Sequence, residues 1–203
     1  MPKRIHTSPA LSGSVAAACL MAAMVLGAGC SIFEPREAEA PATDTGRVVF
    51  VPANDAAGVF VNLKSGIENL DGVNYERSVD ERFVFLPLLE DALDLPGAFD
   101  NWTKTVEMDV MNLMLSGSKK ATVTFDRSVL IDETDHVQFR VTYKLELVAK
   151  VQDAKTEYRG VAHIDVRRTG GLWLMEKWED VSASGDYTTW GYLRGVLRQQ
   201  LGG

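Results

Sequence analysis

Cysteine is scarce in this chain, with two among 203 residues. Cys19 lies inside an N-terminal apolar run, and Cys30 directly follows that run. If the run is removed on export, one cysteine remains, with no partner for a disulfide bond or a thiolate metal site. Stability must therefore come from a packed core, and any chemistry must come from other side chains.

Basic residues are also in deficit, because 21 Lys and Arg stand against 28 Asp and Glu and give a net charge of -7. An acidic domain is repelled by phosphate backbones and anionic membrane surfaces, so nucleic acid is excluded as a partner. The sequence also lacks a glycine-rich phosphate loop, a serine, histidine and acid in catalytic order, and a cofactor motif. No cofactor is therefore predicted.

An apolar run long enough to span a bilayer is missing. Val15 to Gly29 is uncharged but has only 15 residues, whereas a membrane-spanning helix needs about 20. The run follows Lys3 and Arg4 and ends in small side chains, which is the pattern of a secretory signal peptide. We predict that residues 1–29 form a signal peptide and that the chain is exported.

Three small residues, Gly27, Ala28 and Gly29, stand directly before Cys30 and resemble the lipobox of bacterial lipoproteins. In such proteins the cysteine is acylated and becomes the new N-terminus, although Gly27 occupies a position where leucine is usual. The resemblance implies a palmitate-bearing Cys30 that anchors the chain in a cell-envelope membrane. Because Ser31 rather than aspartate follows, the resemblance implies the periplasmic side of the outer membrane, with another cell-envelope membrane as the alternative. The alternative is a chance cysteine behind an ordinary signal peptide.

Beyond the lipobox, residues 30–46 are rich in Pro, Ala, Glu and Thr and have no periodic apolar face, so a flexible tether is expected there. The folded domain is expected over residues 47–203. Its most informative stretch is His136 to Val151, where apolar and polar residues alternate. This alternation predicts a long, half-buried antiparallel strand.

Every second residue of that strand must share the buried face with every second residue of its neighbours. This requirement predicts a meander of four strands that begins at Ala121. Turns are expected at residues 133–135, 153–154 and 169–171. In that register Tyr143 faces Phe125 on one neighbour and Ile164 on the other. A bulge near Glu176-Lys177 is expected to keep Trp173 and Trp178 on the same inward face.

Apolar residues at intervals of three or four predict amphipathic helices that pack on this sheet. Asn54 or Asp55 is expected to cap the first helix, and Asp71-Gly72 to end it. The predicted segments are helices over residues 56–70, 73–79 and 102–115 and from about Thr189, and a short strand over residues 83–86.

This order of elements resembles the nuclear transport factor 2-like superfamily, a cystatin-like, polyketide-cyclase-like cone, and in particular its exported, lipid-anchored members. The stretches that carry the resemblance are NYERSVDERFVFLP, WTKTVEMDVMNLM, YRGVAHIDVRR, GLWLMEKWEDV and TTWGYLRG. It implies an α+β fold in which three helices cover the concave side of a curled antiparallel sheet of four to five strands. The implied cavity is open at one end. Some members use it for catalysis, and others only bind or dimerise.

Within such a cone, the predicted inward faces identify candidate pocket-lining residues. They are Phe60, Phe85, Trp102, Val106, Phe125, Phe139, Tyr143, Ile164, Trp173 and Trp178. Enzymes with this fold rely on carboxylates, tyrosines or histidines in an apolar pocket that changes their pKa. Asp180 as base and Tyr143 as oxyanion donor are the best candidates, with Arg127 and Tyr158 also inward and Tyr75 near the rim.

A purely structural role accounts for the same pair, because Asp180 at a strand end can bond backbone or Arg127, and Tyr143 can be a core aromatic. The histidines give weaker signals. His163 is expected on the outward face among charged residues, and His136 follows the acids of a turn, so no metal site is predicted.

We therefore expect a lipid-anchored cell-envelope protein whose domain is a non-catalytic binding or scaffold module. Its expected partners are the membrane through the lipid and either a small apolar ligand, another protein, or a second copy docked through the open sheet face. The alternative function is a small-molecule isomerase, dehydratase or cyclase that uses Asp180 and Tyr143.

Replacing Cys30 with alanine is expected to abolish the incorporation of radiolabelled palmitate into the protein in bacterial cells, because the acyl chains have no other thiol in the mature chain. Cys19→Ala is the matched control and should label normally, since Cys19 leaves with the signal peptide. Label that persists in the Cys30 variant would refute lipidation at this residue.

Overall fold

Five strands form one open sheet in the structure, a computed structural model that describes residues 50–151 and 153–202. The strands are β1 (Val79–Leu86), β2 (Ser118–Asp132), β3 (His136–Ala149), β4 (Lys155–Thr169) and β5 (Leu172–Ala183). Their order across the sheet is β1-β5-β4-β3-β2. The predicted signal peptide, Cys30 and the predicted tether lie outside the described residues.

The α+β fold predicted from the sequence is confirmed, but the sheet is mixed where an antiparallel one was expected. Strands β2 to β5 form the expected antiparallel meander. β1 instead pairs with β5 in parallel. A hairpin forces antiparallel pairing, whereas β1 and β5 are joined by a long connection that leaves the direction free.

The helices number five among the described residues. They are α1 (Gly58–Glu68), α2 (Gly72–Glu76), α3 (Leu89–Asp94), α4 (Lys104–Gly117) and α5 (Trp190–Gln200). Asp55 accepts a hydrogen bond from the Gly58 nitrogen at 2.7 Å at the start of α1, as predicted. Asp71 accepts from the nitrogens of Val73 and Asn74, so this residue begins α2 in addition to following α1. Within the described residues, no helix combines the length and apolarity needed to cross a bilayer.

The inward face of β3 is buried as the alternation predicted, from Val137 to Leu147. Val151 is an exception, because β3 ends at Ala149 and Val151 is exposed in the following turn. The register of β2 with β3 is also as predicted from Val123 to Val129. A bulge after Val129 then shifts Ile131 opposite Gln138 in place of Val137.

The predicted register between β3 and β4 is wrong by four residues along β4. Tyr143 pairs with Gly160, and Ile164 pairs with Phe139. The error lies in the connection, which runs from Ala149 to Lys155 and is longer than the expected two-residue turn. Because a shift by an even number preserves the two faces of a strand, Ile164 still points inward.

The last hairpin and its bulge are as predicted. Gly170 and Gly171 both have positive φ, at 61° and 87°, which matches the two-residue turn that suits a twisted hairpin. Met175 pairs with Val166 and Lys177 with Asp165, so Glu176 is the extra residue of a bulge. This extra residue returns Trp178 to the buried face.

Candidate functional site

The interior of the curled sheet contains a buried carboxylate, Glu107 of α4, that has four donors around it. Its Oε1 accepts from the Tyr75 hydroxyl at 2.7 Å and from Arg194 Nη2 and Nε at 3.1 and 3.3 Å. Its Oε2 accepts from Trp102 Nε1 at 3.0 Å. A desolvated charge requires such pairing and hydrogen bonding, and Glu107 has both.

Arg194 of α5 is the cation of this pair and has no exposed surface. Its guanidinium carbon lies 4.4 to 4.8 Å from the ring centroids of Phe85, Trp178 and Trp190, within cation–π distance of all three. Burial by itself lowers the pKa of Arg194, but the charges of Glu107, Tyr75 and Asp180 and the hydrogen bond to Glu107 together outweigh burial and hold the pKa above its ordinary value. The guanidinium is therefore permanently charged and enclosed by aromatic rings.

Sequence reasoning missed both members of this pair. The apolar spacing of the last helix predicts an inward face of Trp190, Leu193, Leu197 and Leu201, but the buried residues are Trp190, Gly191, Arg194 and Gly195. A signal was present, because Arg194 lies four residues after Trp190 and directly before Gly195. An arginine between an aromatic residue and a glycine on one helix face indicates a guanidinium in a tightly packed contact.

Asp180 and Tyr143 lie together beside this pair, with exposed fractions of 3% and 1%. The Tyr143 hydroxyl donates to Asp180 Oδ1 at 3.1 Å and accepts from the Trp190 nitrogen at 3.2 Å. Trp178 Nε1 also donates to Asp180 Oδ1, at 2.8 Å. Burial raises the pKa of Asp180 to about 6, against the opposing effect of Arg194 and the two hydrogen bonds.

Two glycines allow this arrangement. A Cβ at Gly160 would collide with the Tyr143 hydroxyl, and a Cβ at Gly191 would collide with Asp180 Oδ2. Asp180 Oδ2 has no hydrogen-bond partner among the described residues. α5 thus lies directly against the one oxygen of Asp180 that could act as a base.

Arg127 and Tyr158 do not join this cluster. Arg127 is exposed, lies over the Phe60 ring at 4.7 Å and donates to the Ala57 carbonyl at 3.1 Å. Arg127 pairs with Val141 and so lies on the predicted face of β2, but its hydrogen bond goes to Ala57 at the start of α1 and not to Asp180, because β2 is exposed beyond Phe125. Tyr158 is half-buried and lines a groove at one end of the cone.

This groove, which we call the end groove, has a volume of about 260 Å³. It lies between the C-terminal halves of α4 and α5 and the neighbouring ends of β2, β3 and β4. Its lining residues are Leu113, Met114, Gly117, Ser118, Leu147, Ala149, Ala154, Thr156, Tyr158, Leu193, Leu197 and Gln200. Neither Asp180 nor Tyr143 lines it.

The ten candidate pocket-lining residues divide into two groups. Four of them border other clefts, namely Phe60 and Phe125 in one of about 290 Å³, and Phe139 and Trp173 in another of about 670 Å³. The other six are buried among core side chains and border neither these clefts nor the end groove; they are Phe85, Trp102, Val106, Tyr143, Ile164 and Trp178.

The two histidines in the described part of the chain lie outside the cone. His136 Nε2 is 2.8 Å from Asp165 Oδ1, and its Nδ1 is 3.6 Å from Glu133. His163 is half-buried, and its strand neighbours are Arg140 and Glu179. In the part of the chain that the structure describes, no three metal-ligating side chains converge.

Comparison with known proteins places the fold. No protein-family model matches the sequence, and no curated protein matches it. A candidate scytalone dehydratase of Novosphingobium aromaticivorans DSM 12444 superposes with a TM-score of 0.54 at 8% identity, covering 66% of this chain and 85% of that one. The Kfla4162 protein of Kribbella flavida gives 0.53 at 11% identity, covering 68% and 93%.

A third similar structure is a candidate calcium/calmodulin-dependent protein kinase II association domain of Xanthomonas campestris. It has a TM-score of 0.50 at 14% identity, and the match covers 68% of this chain and 99% of that chain. Identities this low bear on the fold alone. The chain has a nuclear transport factor 2-like fold, as its sequence predicted.

Removing either member of the buried ion pair is expected to destabilise the protein strongly. Glu107→Gln and Arg194→Met should each lower the free energy of unfolding by about 3–5 kcal/mol, because each leaves an uncompensated buried charge or its donors unpaired. The double variant should lose clearly less than the sum of the two. Urea unfolding measures all three, with Arg198→Met on the same helix as a control within about 0.5 kcal/mol. Additive losses would contradict the pairing.

The raised pKa of Asp180 also predicts a pH dependence. Its carboxyl holds a proton more tightly when folded, so stability should fall as pH rises from 3.8 through about 6, by up to about 3 kcal/mol. Asp180→Asn should remove this decline while it keeps an acceptor for Trp178 and Tyr143. Urea unfolding between pH 4 and 7 checks this, with Asp109→Asn on the exposed face of α4 as a control. If the free energy of unfolding changes with pH in the same way in Asp180→Asn and in the unsubstituted protein, the predicted contribution of Asp180 is refuted.

Proposed function

We propose that this protein is a lipid-anchored cell-envelope domain that binds a small apolar ligand in its end groove and performs no catalysis. The observation that carries the proposal is the filled interior of the cone. The charged and aromatic side chains around Arg194 and Glu107 occupy the space in which enzymes of this fold would hold a substrate.

Access to the two candidate catalytic groups supports the same proposal. A general base must come within hydrogen-bond distance of the proton that it removes. Asp180 and Tyr143 are almost wholly buried and bond to each other, and Trp178 donates to Asp180 while the Trp190 nitrogen donates to Tyr143. The backbone of Gly191 lies against the remaining oxygen of Asp180. A substrate could reach that oxygen only if α5 moved away.

The end groove has the properties of a site for a small apolar group. Leucines and a methionine from two helices form its walls, and the polar groups of Ser118, Thr156 and Gln200 lie among them. Its volume of about 260 Å³ is just below the range of about 300–1,000 Å³ that is usual for drug-sized ligands. The groove therefore suits a compact apolar molecule or one end of a longer chain.

The described chain begins away from this groove. The described chain begins at Phe50, and the Ala53 carbonyl accepts from the Trp173 nitrogen at 3.1 Å, at the start of β5. Trp173 pairs with Arg168 of β4. The nearest residue of β4 that lines the groove is Tyr158. It lies about 33 Å from Arg168 along the strand, at about 3.3 Å per residue. A tether leading into Phe50 would thus join the domain at the end remote from the groove.

A second function, an isomerase, dehydratase or cyclase, is favoured by one specific observation. Asp180 has a pKa raised to about 6 and a tyrosine hydroxyl at 3.1 Å, which is the pairing of base and oxyanion donor expected for such chemistry. The similarity to a candidate scytalone dehydratase fits this alternative at the level of fold.

The neutral fluorescent probe N-phenyl-1-naphthylamine is expected to bind to the purified protein in the end groove. Leu197→Gln should weaken binding at least about tenfold, because it places an amide in an apolar site. Val151→Gln, a change at an exposed position outside the groove, should leave the affinity unaltered. Fluorescence titration measures the affinity for the probe. Equal effects of the two substitutions would refute binding in the end groove.

Catalysis is tested separately by incubating the protein with scytalone. Turnover that disappears in Asp180→Asn and in Tyr143→Phe would establish the alternative function and refute the non-catalytic proposal. We expect no turnover above that of a denatured sample.

A further inference from the structure

Helix α3 buries a charged side chain and exposes two apolar ones. It buries the carboxylate of Asp91, which is 8% exposed, and turns Leu89 and Leu93 outward at 75% and 71% exposure. A surface helix normally does the opposite. The two leucines are four residues apart and so form one continuous apolar stripe.

Two further exposed apolar side chains lie on β1, close in sequence to α3. Val84 and Leu86 precede α3 and are 42% and 40% exposed. β1 is the first strand in the sheet order, so no further strand of the described chain covers its free edge. Contiguous exposed apolar side chains of this size are uncommon on a protein that has no partner, and they mark interaction sites.

An acidic cleft of about 370 Å³ borders α3 beside the leucine stripe, because Glu90 and Asp94 directly follow Leu89 and Leu93. Glu90, Asp91 and Asp94 line it from the helix, and Asp186 lines it from the segment that leads into α5. No lysine or arginine lines the cleft. Within residues 50–151 and 153–202, neither Glu90, Asp94 nor Asp186 forms an ion pair.

The carboxylates of this cleft repel one another. Burial raises the pKa of Asp91, and the charges of Asp94 and Glu90 raise it further, against the hydrogen bond that Thr189 Oγ1 donates at 2.6 Å. A bound cation would relieve this repulsion. The ring of Tyr187, which lines the cleft, is also suited to cations. The Arg159 guanidinium lies 4.1 Å from its centroid, and Arg159 also pairs with Glu157.

We propose that Leu89 and Leu93, together with Glu90, Asp94 and Asp186, form a docking surface for a segment of another protein in which lysine or arginine alternates with large apolar residues. The leucine stripe would take the apolar side chains, and the adjacent carboxylates would take the basic ones. Charge complementarity favours this occupant over two others. A second copy in a symmetric dimer would bring like charges together, and an anionic membrane would be repelled.

The test uses the purified protein and a short fluorescein-labelled peptide of alternating lysine and leucine. Fluorescence anisotropy at moderate salt should show saturable binding. Leu89→Ser/Leu93→Ser and Glu90→Gln/Asp94→Asn should each weaken it at least about tenfold, because each removes one half of the surface. The matched controls are Val129→Ser/Leu130→Ser and Asp132→Asn/Glu133→Gln, exposed pairs at the distant hairpin of β2 and β3. They should change the affinity less than about twofold.

Several outcomes would overturn the proposal. These are no binding, an equal loss in the control variants, or a loss in only one of the two surface variants. Tight binding of the protein to phosphatidylglycerol vesicles through Leu89 and Leu93 would identify a membrane-binding surface instead. All substituted residues are exposed, and circular dichroism should show that each variant remains folded. The end groove takes no part in this test, so its failure would leave the ligand proposal unaffected.

Discussion

The ion pair between Arg194 and Glu107 is the interaction on which the rest of the structure depends. It joins α5 to α4, and the hydroxyl of Tyr75 brings α2 to the same carboxylate. The rings around the guanidinium come from β1, β5 and α5, so the pair also connects the helices to the sheet edge. Charges so deeply buried are tolerated only when every neighbour is in place, which makes this interior specific and intolerant of substitution.

That interior also determines where binding can occur. In a cone of this fold the concave side of the sheet is the natural position for a cavity, but here it is filled by side chains that bond to one another. Asp180 and Tyr143 are part of this filling, with Trp178 and the backbone of Trp190 as partners. The end groove, between α4, α5 and the neighbouring strand ends, is one of the apolar clefts that this filling leaves accessible.

The periodicity of the sequence predicted the strands, turns and bulge that depend on neighbouring residues. It did not predict features that depend on contacts between distant segments. Alternation in β3, the glycine turn and the bulge at Glu176 were all readable, because each depends on neighbouring residues. The register of β4 against β3 was not readable. A longer turn shifts β4 by an even number of residues, and such a shift leaves the same residues on the buried face. Arg194 and Glu107 were missed because pattern reasoning assigns charged residues to the solvent, and only tertiary contact shows that two of them pair.

The parallel pairing of β1 with β5 affects how the chain folds. Phe85 has Trp178 as its strand partner, about 90 residues later, so closing this pair costs more loop entropy than closing any hairpin of the meander. A chain made from its N-terminus lacks the strand partner of β1 until β5 has been synthesised. The edge of the sheet is thus the last part that can form and the part most open to misassociation before folding is complete.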